Sequence, residues 1–218
     1  MCGITGFWDQ KRADTVIAER MAQRIDSRGP DDSGVWTEAG SGLVLAHRRL
    51  SILDRSPAGH QPMSSPCGRY VLVYNGEIYN HLDLRDDLEA EGGAFDWRGH
   101  SDTETLLAAL RHWGGQGGLA RVNGMFAFAL WDKVDRTLFL ARDRMGEKPL
   151  YYGRSGDTFL FGSELKALAA HPAWRGDIDR DALALYMRHN YVPAPWSIYK
   201  GIAKLPPAHF VVIRDGGK

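Results

Sequence analysis

Residues 123–142 read NGMFAFALWDKVDRTLFLAR. Two apolar runs, Met125–Trp131 and Thr137–Ala141, flank a short polar segment near Asp135-Arg136, which is the pattern of two strands and a tight connection. So short a connection has no room for a crossover helix, so the pair is antiparallel. Further apolar runs predict strands at Cys2–Trp8, Gly34–Trp36, Leu43–His47, Tyr70–Tyr74, Leu150–Tyr152, Thr158–Phe161 and Phe210–Ile213. Helical spacing joins Ile17, Met21 and Ile25, then Leu84 and Leu88, then Leu106, Leu107, Leu110 and Trp113. Ser101-Asp102-Thr103-Glu104 has the S-x-x-E spacing of a capping box and places Asp102 in the first turn of the third of these helices. The elements do not alternate as βαβ units, and a layered α+β domain follows.

From Asp179 to His189 a helical pattern runs through Leu183, Leu185, Tyr186 and Met187. A proline-punctuated connector, YVPAPWSIYKGIAKLPPAHF, then leads to the last strand. This divides the chain into a domain over 1–178 and a C-terminal helix, connector and strand over 179–218. The final DGGK reads as a turn beyond which the native chain is expected to continue.

With 218 residues, 44% of them hydrophobic, the chain can bury a sizeable core. Its 27 basic and 27 acidic residues cancel, which leaves no electrostatic footprint for nucleic acid or an anionic membrane. Two cysteines, Cys2 and Cys67, do not make a secreted disulfide scaffold. The start lacks a basic and apolar leader pattern, and no run approaches the roughly 20 apolar residues of a membrane span. A cytoplasmic protein is expected.

Three stretches carry candidate chemistry. In MCGITGFWD, removal of Met1 would give Cys2 a thiol and a free α-amine on one residue. Their unperturbed pKa values, about 8.5 and about 7.7–8.0, let a proton pass between them at little cost. In YNGEIYN, residues 74–80, Asn75-Gly76 is first of all a turn signal. It also offers a side-chain amide and a backbone N–H, the two donor types that stabilise an oxyanion. In AHRRLSI, residues 46–52, an arginine at the end of an apolar strand can hold a carboxylate through paired hydrogen bonds. Glu77 and Asp102 could receive an ammonium group. One arginine and two acids describe a pocket for the backbone of an amino acid.

These stretches, with RGPDDSG at 28–34, SDTE at 101–104, NGMFAFALWD at 123–132, RDRMGEKPLYY at 142–152 and SELKAL at 163–168, occur in the order of a known family. The chain resembles, over essentially its whole length, the N-terminal glutaminase domain of glutamine-hydrolysing asparagine synthetases. These are class II glutamine amidotransferases of the N-terminal-nucleophile hydrolase superfamily. The resemblance implies a four-layer αββα sandwich of two antiparallel sheets flanked by helices. It implies that Cys2, as the first residue after processing, attacks the side-chain amide of L-glutamine to form a thioester that water resolves to glutamate. Asn75 and Gly76 fall on the oxyanion-hole positions, and Arg49 on the clamp for the substrate carboxylate. Leu50, Ser51, Ile52 and Leu53 fall on the adjoining loop, and Glu77 and Asp102 on positions that engage the substrate's ammonium end. No metal or cofactor is implied for this chain. ATP and magnesium are expected only with the family's ATP-pyrophosphatase-type synthetase domain, whose SGGxDS signature does not occur here. A homodimer is compatible with the resemblance.

The chain departs from the family pattern at Ala208, where LPPAH stands in place of LPPGH. His100 is expected to be a surface or structural residue and Cys67 to be incidental. Two other functions stay open on the sequence: a catalytically silent glutamine-binding or scaffold module, and the glutaminase half of an amidotransferase with an acceptor other than aspartate.

Overall fold

A computed structural model of the chain describes residues 1–9, 13–92 and 95–214. The hairpin that decides the sheet type is present. β6 (Gly124–Asp132) pairs antiparallel with β7 (Thr137–Arg142), with Phe128 opposite Ala141. Their sheet also takes β4 (Met63–Ser64), β5 (Tyr70–Ile78) and β11 (Phe210–Ile213), in the order β11-β7-β6-β5-β4. The second sheet contains β1 (Gly3–Trp8), β2 (Asp32–Thr37), β3 (Leu43–Arg49), β8 (Tyr151–Ser155), β9 (Thr158–Gly162) and β10 (Ile202–Lys204), in the order β10-β8-β9-β1-β3-β2. Among the described residues every strand pairing is antiparallel.

Three apolar clusters define four layers. The middle one joins the inner faces of both sheets, with Ile4, Trp8 and Leu45 from one and Val73, Ala127 and Trp131 from the other. Trp8 and Trp131 meet edge to face, 4.9 Å between ring centroids, a preferred aromatic geometry. Outside the five-stranded sheet, Leu84 of α2 (His81–Ala90) and Leu106, Leu107 and Leu110 of α3 (Asp102–Arg121) cover Leu72, Tyr74 and Phe128. Outside the six-stranded sheet, Ile17 and Met21 of α1 (Thr15–Gln23) and Leu168 of the short α4 (Leu165–Leu168) cover Phe7, Val44 and Leu160. The expected αββα sandwich is the observed architecture.

Three features differ from the sequence reading. Asn75-Gly76 makes no turn: β5 runs straight through it, with Asn75 opposite Ala127 and Gly76 opposite Phe126. Cross-strand pairing overrides the local signal, and a Cβ on Gly76 would run into the carbonyl oxygen of Met125. The capping box is only half made. Ser101 accepts from Thr103 N as the helix cap, but the Glu104 carboxylate passes Ser101 and accepts from the amides of Arg98 and Gly99 (3.0 and 3.1 Å). Finally, the proline-rich segment contains β10, which extends the six-stranded sheet beside β8. Residues after α5 (Arg180–His189) thus supply an edge strand to each sheet. The DGGK turn lies outside the described residues. Ala208 keeps a left-handed backbone (φ 60°) where the family has glycine, and its amide donates to Asp143 O.

Candidate active site

Cys2 immediately precedes β1, which lies between β9 and β3 inside its sheet. The thiol is half-buried and held by one residue: Sγ donates to Leu50 O (3.6 Å) and accepts from Leu50 N (3.4 Å). Burial pushes its pKa up, while the Leu50 backbone, the N-terminal charge and Arg49 pull it down. Arg28 Nε donates to the Cys2 carbonyl (2.8 Å), and Arg28 Nη1 pairs with Glu164 (2.8 Å). A chain start, usually frayed, is therefore fixed from two sides.

Arg49 ends β3, next to the strand that Cys2 opens. Its guanidinium donates to the carbonyls of Asp54 and Ser56 and packs on Gly59, where a Cβ would collide with it. Asp54 in turn accepts from Ser56 N (2.7 Å) and His100 N (3.0 Å), which ties this loop to the turn before α3. Those hydrogen bonds, Ser56 first, hold the Asp54 carboxyl below the usual range.

The opposite wall comes from β5. Asn75 is buried, and its Nδ2 has no hydrogen-bond partner among the described residues. A buried donor left unpaired costs about 1–3 kcal/mol, so this one points to a group that visits the cleft. Its neighbour Tyr74 is pinned at three points. Its amide donates to Gln61 Oε1 (2.7 Å), its carbonyl accepts from His47 Nε2 (3.0 Å), and its hydroxyl donates to Asp102 Oδ2 (2.6 Å). Burial lowers the His47 pKa to about 3, so the ring is neutral and donates through Nε2. Burial, then the Asp102 charge, raises that of Tyr74 well above its ordinary value. Asp102 Oδ2 also accepts from Ile78 N (2.9 Å), so this first-turn carboxylate binds β5 to α3 as well as facing the helix dipole.

One cleft, enclosing about 650 Å³ of space with its open side included, is lined by Cys2, Arg49, Leu50, Ile52, Leu53, Asn75, Gly76, Glu77 and Asp102. Ser51 is not on this wall; its amide donates to Asp31 Oδ2 (2.8 Å). The cleft sets a thiol, an unpartnered amide donor, a guanidinium and two carboxylates around one small volume. That suits an amino acid bound at both ends with an acyl group presented to the sulfur.

A family model described as "Glutamine amidotransferase domain" matches residues 1–218. The chain belongs to this family. The amidotransferase chain is 40% identical over 223 residues to asparagine synthetase [glutamine-hydrolyzing] 3 of Bacillus subtilis, a match covering 100% of this chain and 35% of that protein. It is also 40% identical over 233 residues to a putative asparagine synthetase [glutamine-hydrolyzing] of Mycobacterium bovis, covering 98% and 35%. The chain thus spans about a third of the length of these relatives. Among solved structures, glutamine phosphoribosylpyrophosphate amidotransferase from B. subtilis superposes with a TM-score of 0.72 at 19% identity, covering 99% of this chain and 48% of that one. At that identity the likeness concerns the amidotransferase fold.

Sequence reasoning missed Gln61, His47 and Tyr74, which position β5, and Lys148, which also lines the cleft. Tyr74 and Lys148 stand inside quoted motifs without a role, and nothing local marks Gln61. His100 is exposed and its amide donates to Asp54, and Cys67 is exposed. Among the described residues no group of three or more His, Cys, Asp or Glu is placed to hold a metal, and no helix is long and apolar enough to cross a membrane.

Proposed function

We propose that the chain hydrolyses L-glutamine to glutamate and ammonia through a Cys2 thioester once Met1 is removed. The observation that carries this reading is the buried, unpartnered Nδ2 of Asn75 in the same cleft as the Cys2 thiol. Arg49 would take the α-carboxylate, Glu77 and Asp102 the ammonium end, and Leu50, Ile52 and Leu53 the stem of the substrate. The Cys2 α-amine would accept the thiol proton as sulfur attacks the amide carbon. Asn75 Nδ2 and the Gly76 amide would hold the oxyanion, and the amine would return its proton to the departing nitrogen. Water would then cleave the thioester.

The relatives' names support a wider reading, in which this site feeds an amide-forming synthetase domain; in it residues 1–178 would carry the site and 179–218 would lead toward that domain. ATP and magnesium enter only with that domain. Mass spectrometry of the purified chain, paired with ammonia release by the wild type and Cys2→Ala, tests the site. Loss of Met1 and complete loss of turnover in the variant are expected. Undiminished turnover in Cys2→Ala, or turnover by chains that keep Met1, refutes the mechanism.

A further inference from the structure

The loop between β7 and β8 is fixed more tightly than a strand connection requires. The buried Asp143 carboxylate accepts four amides: Met145 (3.1 Å) and Glu147 (2.9 Å) on Oδ1, Phe126 (3.2 Å) and Lys148 (3.0 Å) on Oδ2. From the other side Arg142 Nε donates to the Lys148 carbonyl (2.7 Å) and Nη1 to that of Leu205 (2.7 Å). Lys148 is held at both its N–H and its C=O, and its side chain is buried on the wall of the catalytic cleft.

The ammonium delivered there is poorly compensated. Its hydrogen-bond partner among the described residues is Met1 Sδ (3.5 Å), a weak thioether acceptor. No carboxylate among them pairs with it. A buried cation of this kind is costly, and Met1 is the residue whose removal the proposed function requires. Covalent reach from Sδ through the Met1 Cα to the Cys2 nitrogen puts that nitrogen within about 10 Å of Nζ.

We propose that Lys148 is the cation that keeps the α-amine of processed Cys2 in its free-base form at neutral pH. The inference rests on the glutaminase reading, since that amine is the base of the reaction. Charged and titratable groups face it from every side. Glu77 of β5, Asp102 of α3, Asp54 of the loop after β3 and the thiolate that forms on Cys2 all favour the ammonium, while the Tyr74 phenol of β5, its pKa raised by burial, stands there uncharged. Two other cations oppose them but are already committed. Arg28 is neutralised by Glu164, and Arg49 would be neutralised by the substrate carboxylate. Lys148 has no such carboxylate partner among the described residues. It transfers no proton itself: the thiol proton passes to the amine as the S–C bond forms, then to the departing nitrogen as the C–N bond breaks.

A unit charge about 10 Å away, through an effective dielectric of about 20, moves a titration by about one pH unit. The test compares the wild type, Lys148→Met and Lys148→Arg, each shown by mass to lack Met1. The acid limb of kcat/KM for ammonia release from glutamine is measured, together with the titration of the Cys2 Cα by 13C NMR in cysteine-labelled chain. The expected result is that both move up by about one pH unit in Lys148→Met and return in Lys148→Arg. Lower activity at every pH with neither titration moved would make Lys148 merely structural and overturn the proposal. If the processed wild type releases no ammonia, the proposed function fails, and the NMR titration alone decides about Lys148: a shift supports the charge effect and no shift removes it.

Discussion

Asn75→Ala separates catalysis from folding, because its side-chain donor pairs with none of the described residues. Nδ2 is buried without a partner among the described residues, so truncation breaks no hydrogen bond to them there. It relieves an unpaired donor worth about 1–3 kcal/mol and leaves a small space beside β5 whose cost is of similar size. Stability should therefore change by no more than about 1 kcal/mol, or about 2–4 °C in Tm for a domain of this size. The chemistry has no such offset. Removing one preorganised oxyanion donor costs about 2.7–4 kcal/mol at the transition state, roughly 100- to 1000-fold in kcat. The ground-state carbonyl bears less charge than the oxyanion, so KM should move far less than kcat. Ammonia release measured across glutamine concentrations gives kcat and KM separately, and a thermal melt of the same sample gives stability. A kcat within about fivefold of wild type, at unchanged Tm, would show that Nδ2 does not face the reacting carbonyl and would undo the assignment.

Tyr74→Phe deletes the 2.6 Å hydrogen bond to Asp102 Oδ2 and leaves that buried carboxylate with the Ile78 amide. A stability loss of about 1–3 kcal/mol and a raised KM for glutamine are expected, read by denaturant titration and steady-state kinetics; an unchanged KM would detach Asp102 from substrate binding. For His47, burial holds the folded-state pKa near 3 against an ordinary value of 6.5, so the unfolded chain binds more protons between these limits. Its contribution is complete above about pH 6.5 and is lost as pH falls toward 3, by up to several kcal/mol. His47→Gln should flatten the pH dependence of urea unfolding in that window, and identical slopes in both proteins would refute the assignment. Ala208 is exposed and has φ 60°, which costs a non-glycine residue about 1–2 kcal/mol. Ala208→Gly should stabilise by about 0.5–1 kcal/mol after the added freedom of the unfolded chain is subtracted, and a lower urea midpoint would contradict this.

How far the sequence speaks depends on whether a signal is local. The apolar runs around residues 125–141 declare an antiparallel pair because side chains alternate and the connection is short, and both facts lie within twenty residues. The two-residue β4 and three-residue β10 are too short to show a period. β10 exists because β8 offers an edge. Asn75-Gly76 fails as a turn for the same reason, since β6 supplies partners for both residues. Ordered motifs led to Cys2, Arg49, Asn75 and Asp102, which the fold brings to one cleft. Gln61 reaches Tyr74 only through folding, and no spacing announces it.

The placement of the site explains which packing it depends on. Cys2 is fixed within the six-stranded sheet, where β1 is held by β3 and β9, by Arg28 on the Cys2 carbonyl and by reciprocal hydrogen bonds between Ile4 and Ser163. Asn75 is fixed within the five-stranded sheet by β6. The two sheets share no strand, so the separation of sulfur from amide donor is set by the His47–Tyr74 hydrogen bond that crosses between them and by the side chains of the middle layer, Ile4 and Val73 among them. A misplacement of about 1 Å can cost on the order of 100-fold in rate. Volume changes in this middle layer therefore act on the reaction geometry, whereas comparable changes beneath α1 or α2 act on the outer faces of the sheets and fall first on stability.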